Sequence, residues 1–206
     1  MDSARIYTND GQLQNEFAIG WAIGAQISTS GEIWARYYDE AIVGAGIAFY
    51  QGRTEPAIEA QASGLGCFNR LGDLIYAYMP PPGFGHIFDC YALNVVQDVA
   101  WACYYADFPL VRVGPDKTPR AWSNDVAGAS ALALRDDQVL LFGGYEDLAK
   151  RCVLQSIDSN GKLTPLASFE AILPEDADPS AVIGRGSKLC VVANAIWYEL
   201  SFDDIT

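Results

Sequence analysis

"IWARYYDE" occupies Ile33–Glu40 and "AWACYYAD" occupies Ala100–Asp107, so a Trp, a Tyr pair and an acid recur 67 residues apart, counted from Trp34 to Trp101. The longer stretches that hold them, "GAQISTSGEIWARYYDE" (Gly24–Glu40) and "YALNVVQDVAWACYYAD" (Tyr91–Asp107), align without a gap. A third copy, "LALRDDQVLLFGGYED" (Leu132–Asp147), keeps Tyr145 and two acids, with Leu141 in the Trp place 40 residues after Trp101. "AVIGRGSKLCVVAN" (Ala181–Asn194) is a weaker fourth. The first interval is the longer because a Gly- and Ala-rich stretch around Gly44–Gly64 is inserted in it.

Between these copies the apolar residues alternate in short runs broken by turn residues, the pattern of antiparallel strands. "IYTNDGQLQNEF", "CFNRLGDLIYAY", "VRVGPDKTPRAW" and "LQSIDSNGKLTPLASF" each read as a hairpin. Asp10-Gly11 and Asn160-Gly161 supply the positive φ that a two-residue hairpin turn needs. "EPAIEAQAS" (Glu55–Ser63) reads as two helical turns capped by its own acids. Every repeat is thus one hairpin (strands a and b) followed by another (c and d). A period near 40 residues with four strands per unit predicts a β-propeller blade. The expected fold is all-β: one propeller-like domain over residues 1–206, with four to five four-stranded antiparallel blades. The chain starts in mid-blade, at the c–d hairpin Arg5–Phe17. "IWYELSF" (Ile196–Phe202) reads as a c strand for the blade which that hairpin would also fill, so closure of the ring is left open.

Composition narrows the function. The 206 residues are 50% hydrophobic and 12% aromatic, as in a globular domain. Twenty-six acids against 13 bases leave a net charge of −13, which repels a phosphate backbone and argues against nucleic acid as a partner. No apolar run reaches the length of a membrane span and no secretory leader is visible, so no membrane partner and a cytoplasmic location are expected. Cys67, Cys90, Cys103, Cys152 and Cys190 have no CxxC spacing, and His86 is the one histidine, which argues for buried reduced thiols and against zinc. No GxSxG elbow, phosphate loop, HExxH or dinucleotide fingerprint is present.

"YYDEAIVG" (Tyr37–Gly44), "DCYALNV" (Asp89–Val95), "AWACYYADFPLVRV" (Ala100–Val113), "WSNDVAGASALAL" (Trp122–Leu134) and "LLFGGY" (Leu140–Tyr145) resemble a family of uncharacterised bacterial β-propeller-like proteins. The resemblance implies the fold and no activity. Similar sequences carry additional blades before the point where this chain begins.

The repeated aromatics are read first as structure. Trp34, Trp101 and Leu141 are expected to fill the space between blades. Tyr38, Tyr105 and Tyr145 are expected to end strand b with a packed ring and a bonded hydroxyl. The acids beside them carry the functional reading. Asp39, Glu40, Asp107, Glu146 and Asp147 fall in b–c turns; Asp89, Asp125, Glu175, Asp176 and Asp178 fall in d–a connections. In a propeller these turns open on one face, which makes that face acidic. Asp39, Glu40, Asp89, Asp107, Asp125, Glu146 and Asp147 are the candidate ligand-binding residues. Asp89 and Asp125 stand out as charges among apolar residues at the entrance to inner strands. Gln26 and Asn94, on inner strands, fall within reach of the channel, where oxygen donors suit a hard cation such as calcium. His86, three residues before Asp89, is a candidate general base.

Two readings result. The first is a non-catalytic module that presents its acidic face to an unidentified protein or small molecule and needs no cofactor. The second is a metal-dependent hydrolase or lyase of a small carbohydrate-like or lactone substrate, with Asp39, Asp89, Asp107 and Asp125 on a divalent cation.

Overall fold

A computed structural model describes residues 2–159, 162–172 and 179–205. Four antiparallel sheets stand round a common axis as the blades of a β-propeller. Blade I is β3 (Ala22–Ile27), β4 (Ile33–Tyr37), β5 (Leu65–Phe68) and β6 (Leu74–Ala77). Blade II is β7 (Asp89–Val96), β8 (Val99–Tyr105), β9 (Leu110–Val113) and β10 (Pro119–Trp122). Blade III is β11 (Ala131–Arg135), β12 (Gln138–Phe142), β13 (Arg151–Ile157) and β14 (Leu163–Glu170), and blade IV is β15 (Pro179–Arg185), β16 (Lys188–Ala193) and β17 (Ile196–Ser201). The aligned copies are the a–b hairpins β3–β4, β7–β8, β11–β12 and β15–β16, as their spacing predicts.

"IWYELSF" forms β17, the c strand of blade IV. The amino-terminal hairpin, β1 (Asp2–Tyr7) and β2 (Leu13–Gly20), does not join that blade. It is a two-stranded sheet of its own, and Phe17 packs on Phe68 of blade I at 5.8 Å. Gly11 takes the expected positive φ of 84°, but the turn is longer than two residues: Thr8 N–H donates to the Gln12 carbonyl at 2.9 Å and Gly11 N–H to that of Thr8 at 3.0 Å. The second Asn-Gly turn lies outside the described residues.

Three apolar seams hold the blades face to face. Blades I and II enclose Trp34, Tyr37, Phe68, Tyr104 and Val111. Leu110, Leu132 and Leu141 fill the seam between II and III, and Phe142, Leu189 and Phe202 fill that between III and IV. Trp34 and Leu141 are completely buried between blades, as expected, and Trp101 is partly buried and packs against the edge of the seam between II and III. Cys90 belongs to the first seam and Cys103 to the second, on opposite faces of blade II, and all five thiols are free.

The insert is helical. Pro56 at the first turn starts α2 (Pro56–Ser63), rather than a side-chain cap, and Gly64 ends it at φ 79°. Asp39–Tyr50 forms a helix, α1, where a turn is expected from the repeat; it is apolar along its length after the first two acids, so it shows no helical periodicity. Buried Gln61 joins the pair, donating to the Ala41 carbonyl at 2.6 Å and accepting from Trp21 N–H at 2.8 Å.

Candidate functional site

Two side-chain amides cross between the inner strands at the axis, beside a small cavity of about 110 Å³ lined by Gln26, Arg36, Leu93, Ser130 and Gly184. Gln26 Nε2 donates to the carbonyls of Leu93 and Gly184, both at 2.9 Å, while its Oε1 accepts from Val95 N–H at 2.8 Å and from Arg185 at 3.1 Å. Asn94, fully buried, donates to the carbonyls of Leu132 and Gly186 and accepts from Gly186 N–H, each at 2.9 Å. Gly184 is required here, because a β-carbon on it would overlap the Leu132 carbonyl oxygen. Both amides therefore tie inner strands of different blades together.

Of the expected carboxylates, the fold brings three together. Asp39 and Glu40 form the exposed first turn of α1, and half-buried Asp89 opens β7 beside them. Burial raises the Asp89 carboxyl to about 6; Asp39 and Glu40 push it the same way and Arg36 opposes them. Arg36 itself donates to the Cys90 carbonyl at 2.7 Å. Hydrogen bonding to Glu40 holds the Asp39 carboxyl below its ordinary range.

Asp107, Asp125, Glu146 and Asp147 are exposed on separate turns, and none makes an ion pair with a described residue. Asp125 is not held among apolar residues at the entrance to an inner strand, but is exposed. Its neighbour Asn124 turns inward instead, donating to the Phe108 carbonyl at 3.1 Å and accepting from Val126 N–H at 3.1 Å. An amide satisfies those backbone groups without the desolvation of a charge. Glu175, Asp176 and Asp178 lie outside the described residues. His86 is exposed and bonds to no described acid. Among the described residues, no three His, Cys, Asp or Glu side chains are grouped to hold a metal.

Phe88, Tyr91, Tyr105, Phe108 and Tyr145 form an aromatic patch that the sequence reading misses. Tyr91 stacks on Phe108 (6.2 Å, 22°) and meets Tyr145 edge-on (6.3 Å, 84°), with a hydroxyl–hydroxyl hydrogen bond of 2.9 Å. Phe108 also touches Tyr145 and Tyr105, and Tyr105 touches Phe88. Phe88, Tyr105 and Tyr145 are 54%, 46% and 48% exposed, so these rings do not serve a core. Asp107 and Phe108 both have positive φ, 63° and 49°, a strained pair of non-glycine residues held by the Asn124 bond. The available signal was the placing of Phe88, Tyr91 and Phe108 beside acids in turns.

Residues 62–160 match the sequence profile of the YxzG family. No curated protein matches the chain in sequence. Among solved structures, a gluconolactonase-like protein superposes with TM-score 0.62 at 14% identity, covering 97% of this chain and 67% of its own. A catalytically inactive virginiamycin B lyase from Staphylococcus aureus, solved with quinupristin, gives 0.51 at 15% identity over 96% of this chain. A streptogramin B lyase gives the same TM-score, 0.51, at 15% identity. The chain spans 62% and 61% of those two lyases. At such identities the likeness is one of fold. Together with the YxzG match it agrees with an uncharacterised propeller-like family.

Proposed function

We propose that the chain is a non-catalytic binding module that takes a Lys/Arg-rich segment of a partner protein on its aromatic, acid-rimmed face. The observation that carries this reading is the coincidence of exposed, mutually packed rings with exposed carboxylates on the neighbouring turns, of which Asp107, Asp125, Glu146 and Asp147 make no ion pair among the described residues. Aromatic faces attract ammonium and guanidinium groups, and carboxylates steer them there. An open patch spread over the turns of three blades suits a peptide better than a small molecule. The net charge of −13 favours a cationic partner and disfavours nucleic acid or an anionic membrane. The metal-dependent hydrolase or lyase would need oxygens converging on a cation, and no observation favours it.

The test is fluorescence anisotropy with a labelled oligolysine peptide. Saturable binding at low salt is expected, weakened at least about tenfold at high salt and again by Phe108→Ala or by neutralising Asp39, Asp89 and Asp107 together. Absence of binding at low salt, or binding indifferent to those changes, rejects the reading.

A further inference from the structure

The opposite face of the ring, where the a–b and c–d turns lie, has a feature of different chemistry. Below its sealed portion the seam between blades II and III opens into a cleft of about 520 Å³, within the range of small-molecule sites. Strand register sets Trp101, Arg112 and Arg120 side by side in one row across blade II. The same face of that blade is closed core at Ala92, Cys103 and Leu110. Two guanidiniums directly opposite on paired strands repel one another, and neither makes an ion pair with a described residue. Arg112 acts on the Asp116 carboxylate of the same lining, and Arg120 is exposed.

The indoles beside them are set as a platform. Trp101 and Trp122 lie nearly parallel, 22° apart with centroids at 5.7 Å. Trp122 is locked by donation of its indole N–H to the Asp158 carbonyl at 2.9 Å. The Arg112 guanidinium carbon is 6.0 Å from the Trp101 ring. Asp136 and Asp137 of blade III form the facing wall.

We propose that this cleft binds a neutral polyhydroxylated ring, a pyranose unit of a carbohydrate. A polyanion would meet the carboxylates and a polycation the guanidiniums, so the mixed lining disfavours both. A neutral sugar uses all of it. Its apolar ring face lies on an indole, the forked guanidinium donors reach adjacent hydroxyl oxygens, and the carboxylates accept the hydroxyl protons. The site is independent of the aromatic face on the other side of the ring.

The experiment is a titration of the whole chain with cello-, xylo-, manno- and maltotetraose, followed by tryptophan fluorescence and calorimetry. At least one neutral tetrasaccharide is expected to bind saturably, with the same affinity at low and high salt. Trp101→Ala should weaken it at least about tenfold, and so should Arg112→Met/Arg120→Met, a pair that leaves the seam intact should the tryptophan variant fail to fold. Asp89→Asn, on the opposite face, should leave it unchanged. The proposal is overturned if no neutral tetrasaccharide binds, if a polygalacturonate tetramer binds in their place, or if the arginine pair can be replaced without loss.

Discussion

Truncating Asn94 to alanine tests the claim that side-chain amides hold the inner strands together. Asn94 is 0% exposed and makes three hydrogen bonds, to the carbonyls of Leu132 and Gly186 and from the Gly186 N–H. These bonds join blade II to blades III and IV. At about 1 kcal/mol net for each bond, Asn94→Ala should lose about 3 kcal/mol of stability. For a chain of this size that lowers Tm by about 6–12 °C. Urea and thermal unfolding followed by tryptophan fluorescence would measure both. Asn94→Asp keeps the volume but removes the two donors and sets a carboxylate against two carbonyl oxygens, so at neutral pH it should destabilise at least as much. Gln26→Ala releases the neighbouring residue Gly184 of the same strand, and the double variant should lose less than the sum of the two. A loss below about 0.5 kcal/mol for Asn94→Ala, or full tolerance of the aspartate, would refute the argument. The amides would then be incidental, and a cation in the channel would need to be considered again.

Two further outcomes follow from charges set at blade junctions. Asp89 has a folded-state pKa near 6, above the ordinary carboxylate value, so the folded chain holds its proton more tightly than the unfolded one. Its contribution is favourable below the ordinary value and is lost as pH rises through 6. Asp89→Asn should therefore stabilise the chain at pH 7, by about 1 kcal/mol once screening of a half-exposed group is allowed for, and do nothing at pH 4; equal effects at both would contradict this. Lys117 Nζ lies 2.6 and 2.7 Å from the two Glu32 oxygens and 5.3 Å from the Trp34 ring, with side chains only 19% and 23% exposed. Lys117→Met should cost about 2 kcal/mol, because it leaves a partly buried carboxylate unpaired. Adding Glu32→Gln should restore part of that in denaturant melts, and no recovery would mean that the ion pair contributes nothing.

The parts of the fold legible in the sequence were those set by strand period. Trp34, Trp101 and Leu141 mark the b strands because a blade buries both faces, and one large residue per repeat must fill each seam. The hairpins at β5–β6, β9–β10 and β13–β14 follow from alternation broken by turn residues. Helix α1 was not legible, because "AIVGAGIAFY" carries no polar face and glycines argue against a helix; it packs on α2 and buries only Ala41, Ile42 and Ala45, while Val43, Ile47, Phe49 and Tyr50 stay exposed. The candidate site was legible only as a set of acids on one side. In "WSNDVAG", Asn124 and Asp125 are equally good turn residues, and only the nearby Phe108 carbonyl decides that the amide turns inward. Phe88 and Phe108, in turns, and Tyr91, in β7, were passed over because such an aromatic is indistinguishable in sequence from one that packs on its neighbour's core.

The number of blades links these outcomes. Gln26 and Asn94 were correctly placed on inner strands, but what an inner amide does depends on how far away the next inner strand lies. With four blades, the Gly184 Cα approaches the Leu132 backbone too closely for any side chain between them, and an amide reaches backbone groups of two other blades at once. Donors and acceptors that a wider ring would leave for a ligand are used to close this one. The central cavity left beside the amides is only about 110 Å³, and the larger surfaces are those where the blades diverge: the turns on one face, with their exposed rings and acids, and the parted seam below Trp101 on the other. Widening the axis by removing the amides should therefore weaken the fold without creating a site, which is the outcome that separates this small ring from a propeller with an open channel.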